Sequence, residues 1–159
     1  MEFRVGLGYD AHALKEGVPL VLGGVAFEHP RGLAGHSDGD VVAHALIDAI
    51  LGAANLGDIG SLFPSGDEQY RGASSLDLLW EAYREVRNAG FELVNADCVL
   101  VGEEPRIGEV RGEMQERLAA ALGLDAGRVT VRATTTDGLG FAGRGEGLAA
   151  HAVALLTRT

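Results

Sequence analysis

A short apolar run opens the chain, and residues 2–9 predict a strand that leads into GYDAH. The segment VPLVLGGVAFEH predicts a hairpin turning at Gly23-Gly24, and HPRGLAGH, residues 29–36, a loop. The clearest helix is SDGDVVAHALIDAILGAANLG, with Ser37 as its cap, Asp40 at the third helical position and Gly57 beyond its end. A turn-rich connection, DIGSLFPSGDEQYRG, leads to the amphipathic helix SSLDLLWEAYREVRNAG, which sets Leu76, Leu79, Tyr83 and Val86 on one stripe. FELVNADCVLVG alternates as a strand, residues 109–122 predict a helix and RVTVRAT a strand. The tail GLAAHAVALLTRT fits helix by its alanines and strand by its alternation. The order βββ–α–α–β–α–β predicts an α+β fold, a mixed β-sheet with helices packed on one face, as a single domain over residues 1–159.

Composition narrows the partners. Thirteen basic against 23 acidic residues give a net charge of −10, which suits neither nucleic acid nor an anionic membrane. A polyanionic small substrate would need metal ions, backbone N–H groups or a few arginines, and Lys15 is the only lysine. The single cysteine, Cys98, excludes an internal disulfide and fits a reducing compartment. No signal-peptide core and no bilayer-spanning run is visible, so a cytoplasmic location is expected.

In an extended strand Asp10 and His12 share a face, about 6.6 Å apart along it. His44 lies on the first helix, with Asp48 four residues later on the same face. Together Asp10, His12 and His44 offer one carboxylate and two imidazoles. That is the ligand count of a catalytic zinc site with one open position, and Asp48 is placed to orient His44. Spacing alone leaves a second reading open, a half-exposed helix histidine and an unrelated turn aspartate. His36, Ser37 and Asp38 stand at a helix start, where anions are attracted, or Ser37 is simply a cap. ATTTDGLGFAGRGEG, residues 133–147, reads as a diphosphate cradle with a Mg²⁺ ligand at Asp137, or as a glycine-rich structural turn. VGEEPRI offers a small pocket for a base or phosphate.

Taken together, GYDAH, HSDGDVVAHALIDAILGAANLGDIGSLFP and TTTDGLGFAGRGEG resemble the 2-C-methyl-D-erythritol 2,4-cyclodiphosphate synthase family through nearly the whole chain. The resemblance implies a homotrimer with active sites between subunits. It implies conversion of 4-diphosphocytidyl-2-C-methyl-D-erythritol 2-phosphate to the cyclic diphosphate and CMP by intramolecular phosphoryl transfer. Asp10, His12 and His44 match the metal ligands, for which Zn²⁺ is expected, with Mg²⁺ or Mn²⁺ near Asp137 once substrate binds. His36 and Thr135 match the catalytic positions that stabilise the transition state. Substrate contacts are implied for Asp10, Ala11, His12, His36 and Ser37, for Asp58, Ile59 and Gly60, and for the loop Phe63, Pro64, Ser65, Gly66 and Asp67. Further contacts are implied for the cytidine diphosphate pocket, Gly102, Glu103, Glu104, Pro105, Arg106 and Ile107 with Ala133, Thr134, Thr135 and Thr136, and for Asp137, Phe141 and Arg144. An isoprenoid diphosphate in the trimer's central channel is a further implied partner, with Arg144 and Glu146 near its mouth.

Three positions depart from the family pattern. Asp137 stands where glutamate is familiar, Ser65 where aspartate is common, and Arg106 where lysine is frequent, which keeps the charge but changes the donor geometry. Two rival readings share the same residues. One is a metal-dependent phosphohydrolase that uses water as nucleophile, the other a trimeric metal-stabilised binding module.

Overall fold

The computed structural model describes residues 1–159. Its strands are β1 (Glu2–Glu16), β2 (Leu20–Leu22), β3 (Val25–Phe27), β4 (Arg31–Leu33), β5 (Glu92–Val101), β6 (Val129–Thr134) and β7 (Gly147–Arg158). Five of them form a mixed sheet in the order β4–β1–β7–β5–β6, while β2 and β3 pair as a separate hairpin. Only β5 and β6 run parallel. Gly23 and Gly24, both at positive φ, make the hairpin turn expected of them.

The helices are α1 (Val41–Ala53), the single turn α2 (Ile59–Leu62), α3 (Ser75–Asn88), α4 (Arg111–Leu122) and the single turn α5 (Gly140–Gly143). α1 and α4 lie against the sheet, and α3 packs on both. Leu46, Ile47 and Ile50 of α1 and Met114 and Leu118 of α4 are fully buried. Each such side chain is worth roughly 1.5–3 kcal/mol of burial. On α3 the buried stripe runs through Leu78, Leu79, Ala82, Tyr83 and Val86, and Leu76 is only half-buried.

Several expected boundaries move. β1 continues past residue 9 because β7 pairs with it from Glu2↔Arg158 to Ala13↔Gly147. Asp10 and His12 therefore sit inside a strand. The ambiguous tail is that partner strand, and its alternation wins over its alanines: Ala150, Ala152 and Ala154 are buried against α1. The 29–36 segment is not all loop, since Arg31–Leu33 pairs with the end of β1.

The other face of the sheet is apolar and uncovered. Phe3, Val5, Leu7 and Tyr9, the odd positions of β1, are 58%, 71%, 68% and 49% exposed, and Val153 of β7 stands beside them. No helix is long and apolar enough to cross a membrane.

Candidate metal centre and the clefts around it

The even positions of β1 face α1. A Cβ at Gly8 would run into the carbonyl of Ala45, and one at Gly6 into that of Ala49. Two glycines at this spacing let the helix lie directly on the strand. α1 runs antiparallel to β1, so its first turn arrives beside the next two inward positions, Asp10 and His12. His44 is brought against them although it lies 34 and 32 residues away.

The three side chains converge. Asp10 Oδ2 is 2.8 Å from His12 Nε2 and 3.0 Å from His44 Nδ1, and the two imidazole nitrogens are 3.2 Å apart. Tetrahedral ligands at about 2.0–2.1 Å from a zinc ion stand about 3.3 Å from one another, so the donor set fits a small divalent cation with slight opening. Burial pushes the Asp10 carboxyl up, but the hydrogen bond from His12 and the adjacent His44 imidazole outweigh that and bring it to about 2. The Asp10 hydrogen bond raises the pKa of His12 against the opposing effect of burial.

What surrounds His44 differs from expectation. Asp48 does not orient the ring. Its Oδ1 accepts the backbone N–H of Ile59 at 2.7 Å and ties α1 to α2. His44 Nε2 instead faces Ser75 Oγ at 2.8 Å and Ser37 Oγ at 3.0 Å. Nor is Ser37 the helix cap. Asp40 caps α1, accepting from Ala43 N at 3.1 Å, and the same buried carboxylate accepts from Gly23 N and Gly24 N at 2.8 and 2.7 Å. It thus pins the β2–β3 turn to the helix that carries His44. No sequence signal marks Ser75 and its partner Asp38 as ligand-orienting groups, because a serine at a helix start reads only as a cap.

A cleft of about 410 Å³ opens from the centre. Asp10, His12, His44, His36 and Ser37 line it on one side, and Ile59, Gly60, Phe63, Pro64, Ser65 and Gly66 on the other. Tyr70 and Leu78, absent from the sequence expectation, complete its wall. His36 Nε2 donates to the Asp67 carbonyl at 2.8 Å, which fastens the 63–67 loop over the cleft. Asp58 caps α2 and is exposed.

The remaining expected residues lie elsewhere. Gly102, Glu103, Pro105, Arg106, Ile107, Ala133, Thr134 and Thr135 line a second cleft of about 380 Å³, beyond the ends of β5 and β6. Asp10 is in register with Ala150, Ala150 with Leu100, and Leu100 with Ala133. Three strand spacings, about 14 Å, separate the two regions within one chain. His36 and Thr135 therefore line different clefts. Asp137 sits exposed at φ 53, its Oδ1 accepting from Thr135 Oγ1 at 3.3 Å, while Thr136 Oγ1 donates to Leu139 O. Phe141 lines a shallow depression with Ala11 and His12. Glu104 and Arg144 line a further one, where Arg144 pairs with Glu146 at 3.0 Å.

A family model described as the YgbB family matches residues 3–157. The chain belongs to that family. Among its relatives, the 2-C-methyl-D-erythritol 2,4-cyclodiphosphate synthases of Moorella thermoacetica and Rubrobacter xylanophilus are 57% and 58% identical to it. The first alignment covers 96% of this chain and 94% of the relative, the second 98% and 96%. A solved 2C-methyl-D-erythritol-2,4-cyclodiphosphate synthase in a CDP-bound form superposes with a TM-score of 0.88 at 40% identity, covering 97% of this chain and all of that one. The bifunctional IspDF of Campylobacter jejuni superposes with a TM-score of 0.95 at 46% identity, and the match covers 99% of this chain but 43% of that longer chain.

Proposed function

We infer that the protein cyclises 4-diphosphocytidyl-2-C-methyl-D-erythritol 2-phosphate to 2-C-methyl-D-erythritol 2,4-cyclodiphosphate and releases CMP. The observation that carries this is the convergence of Asp10, His12 and His44 at the head of a cleft, in a chain of this family. Residues 1–159 act as one catalytic domain of a cytoplasmic enzyme.

An oxygen of the 2-phosphate forms a bond to the β-phosphorus, the bond from that phosphorus to the α-phosphate oxygen breaks, and CMP leaves with the electron pair. The nucleophile is already anionic, so the work lies in positioning and in holding like charges together. Asp10, His12 and His44 would hold a divalent cation, Zn²⁺ by the chemistry of their donor set, which would supply Lewis acidity and charge neutralisation. Ile59, Phe63, Pro64 and Leu78 give the carbon skeleton an apolar wall. His36 keeps the 63–67 loop closed through its bond to Asp67, and Ser37 presents a hydroxyl at the same cleft. Arg106 and the backbone of residues 102–107 and 133–135 take the cytidine diphosphate end, and Thr135 adds a donor at the transferring phosphoryl group. Asp137 would be the carboxylate that holds Mg²⁺ or Mn²⁺ with the diphosphate in place.

The two halves lie about 14 Å apart in one chain, too far to grip adjacent phosphates together. This separation supports a homotrimer in which the first cleft of one subunit faces the second cleft of its neighbour. The exposed apolar stripe of β1 is the surface such an assembly would bury. A channel between the three sheets is the place for an isoprenoid diphosphate, with Arg144 and Glu146 at its mouth.

The test is incubation of the purified protein with the cytidylylated substrate, with and without chelator, followed by phosphorus NMR. Cyclic diphosphate and CMP, both lost on chelation, are the expected result. An open-chain phosphate would overturn the cyclase in favour of a hydrolase.

A further inference from the structure

We propose that Ser75, held by Asp38, is a positioning residue that keeps the His44 proton on Nε2 and leaves Nδ1 bare toward Asp10 and His12. The proposal rests on reading those three residues as a cation site.

The argument is one of counting protons and lone pairs. Ser75 is wholly buried, and its hydroxyl has one proton and two lone pairs to place. Asp38 Oδ1 is in very short contact with that hydroxyl, and a carboxylate only accepts. Asp38 is held in position by two backbone N–H groups, those of Ser75 and Asp40, each at 3.0 Å. The Ser75 proton is thereby committed to Asp38. What Ser75 turns toward His44 Nε2, 2.8 Å away, is a lone pair. A bare Nε2 would set two acceptors against each other at that distance, so Nε2 carries the proton and donates it. Ser37 Oγ lies 3.0 Å from the same nitrogen and 3.4 Å from Ser75 Oγ, so its own proton has the second lone pair of Ser75 to go to and its oxygen is left to accept from Nε2.

The consequence appears on the opposite side of the ring. With the proton on Nε2, Nδ1 presents a lone pair to Asp10 Oδ2 at 3.0 Å, so the carboxylate and Ser75 compete for the one ring proton and the serine held by Asp38 decides the competition. Were the proton on Nδ1, it would bond to Asp10 and the centre would close on itself without needing any cation. The Asp38–Ser75 pair prevents that closure. It converts His44 from a hydrogen-bond donor to Asp10 into a ligand, and the electron-rich gap that results calls for positive charge. The pair also links elements: Asp38 lies just before α1, and Ser75 is the first residue of α3, so the start of one helix sets the tautomer of a histidine on the other.

The experiment reads the tautomer directly. Nitrogen-15 NMR of the His44 ring in the metal-free wild-type protein, at mildly alkaline pH, is expected to show the proton on Nε2. A proton on Nδ1 would overturn the proposal without any variant being made. Zinc affinity, from competition with a chromophoric chelator, is then expected to fall about 10- to 100-fold in Ser75→Ala. The ring in that variant should move its proton to Nδ1, and Ser75→Thr, which keeps the hydroxyl, should recover affinity. Asp38→Asn preserves volume while freeing the Ser75 proton, and should shift the tautomer the same way should Ser75→Ala fail to fold. Unchanged zinc affinity and tautomer in the folded variants would sink the idea. Zinc uptake by the wild-type protein tests the centre itself, and the tautomer decides on Ser75 whichever way that comes out.

Discussion

Gly8 lies so close to the carbonyl of Ala45 that any side chain between them would overlap it, and this contact sets the gap across which His44 meets Asp10. Gly8→Ala is therefore expected to push α1 off the strand. The cost of such overpacking is about 1–3 kcal/mol, read from urea denaturation, and zinc affinity should fall with it because the donor atoms separate. A variant of unchanged stability and unchanged zinc binding would show that the helix does not depend on this contact.

His44→Ala removes one of three ligands but leaves a cavity that opens toward the cleft. The fold should survive, as judged by circular dichroism. Zinc content should drop to background, and kcat/KM should fall by roughly three orders of magnitude, about 4 kcal/mol of lost transition-state stabilisation. Full zinc content by elemental analysis would rule His44 out as a ligand.

The metal-free protein should show a stability plateau set by Asp10 and His12. The Asp10 carboxyl is depressed from 3.8 to about 2, so its contribution is present above 3.8 and is lost as pH falls through about 2. His12 is raised above 6.5, so its contribution is complete below 6.5 and is lost as pH rises through the raised value. The pair thus stabilises most between 3.8 and 6.5. His12→Gln should flatten both limbs of a melting-temperature profile. Zinc should reverse the upper limb, because binding needs a deprotonated imidazole and strengthens as pH rises. Identical profiles for the two proteins would dissociate His12 from Asp10.

Leu7→Asp places a charge in the middle of the uncovered apolar stripe. The wild-type protein is expected to sediment as a trimer and this variant as a monomer, since a charge buried without a partner is costly. Its metal centre, on the other face of β1, should still bind zinc while turnover is lost. A wild-type monomer at working concentrations would exclude the shared site.

The elements that carry the centre were legible in the sequence because they obey simple periods. The period of two puts Asp10 and His12 on one face, and a long apolar helix presents His44. What was not legible is contact made by folding. Ser37 is the cap the sequence predicts, with Asp40 inside the helix, but Asp40 takes the cap because its carboxylate also reaches Gly23 and Gly24, a hairpin distant in sequence. Asp48 sits one helical turn from His44, as an orienting group should, yet Ile59 N–H is nearer and takes it. The role of Ser75 depends on Asp38, 37 residues earlier, and no local pattern encodes that pairing. Thr135 and His36, both assigned to catalysis by resemblance, lie in different clefts because sheet order, invisible to a linear reading, sets two strands between β1 and β6.

The separation of the two clefts has a genetic meaning. In the proposed shared site, a chain disabled at His44 and a chain disabled at Arg106 would each be inactive alone, yet each would retain the half that the other lacks. Refolded or expressed together, they would assemble some interfaces in which an intact first cleft meets an intact second one, and activity would return in a mixture of two dead proteins. By the same logic, a site shared between subunits as proposed would make a single defective allele weigh on its healthy counterpart.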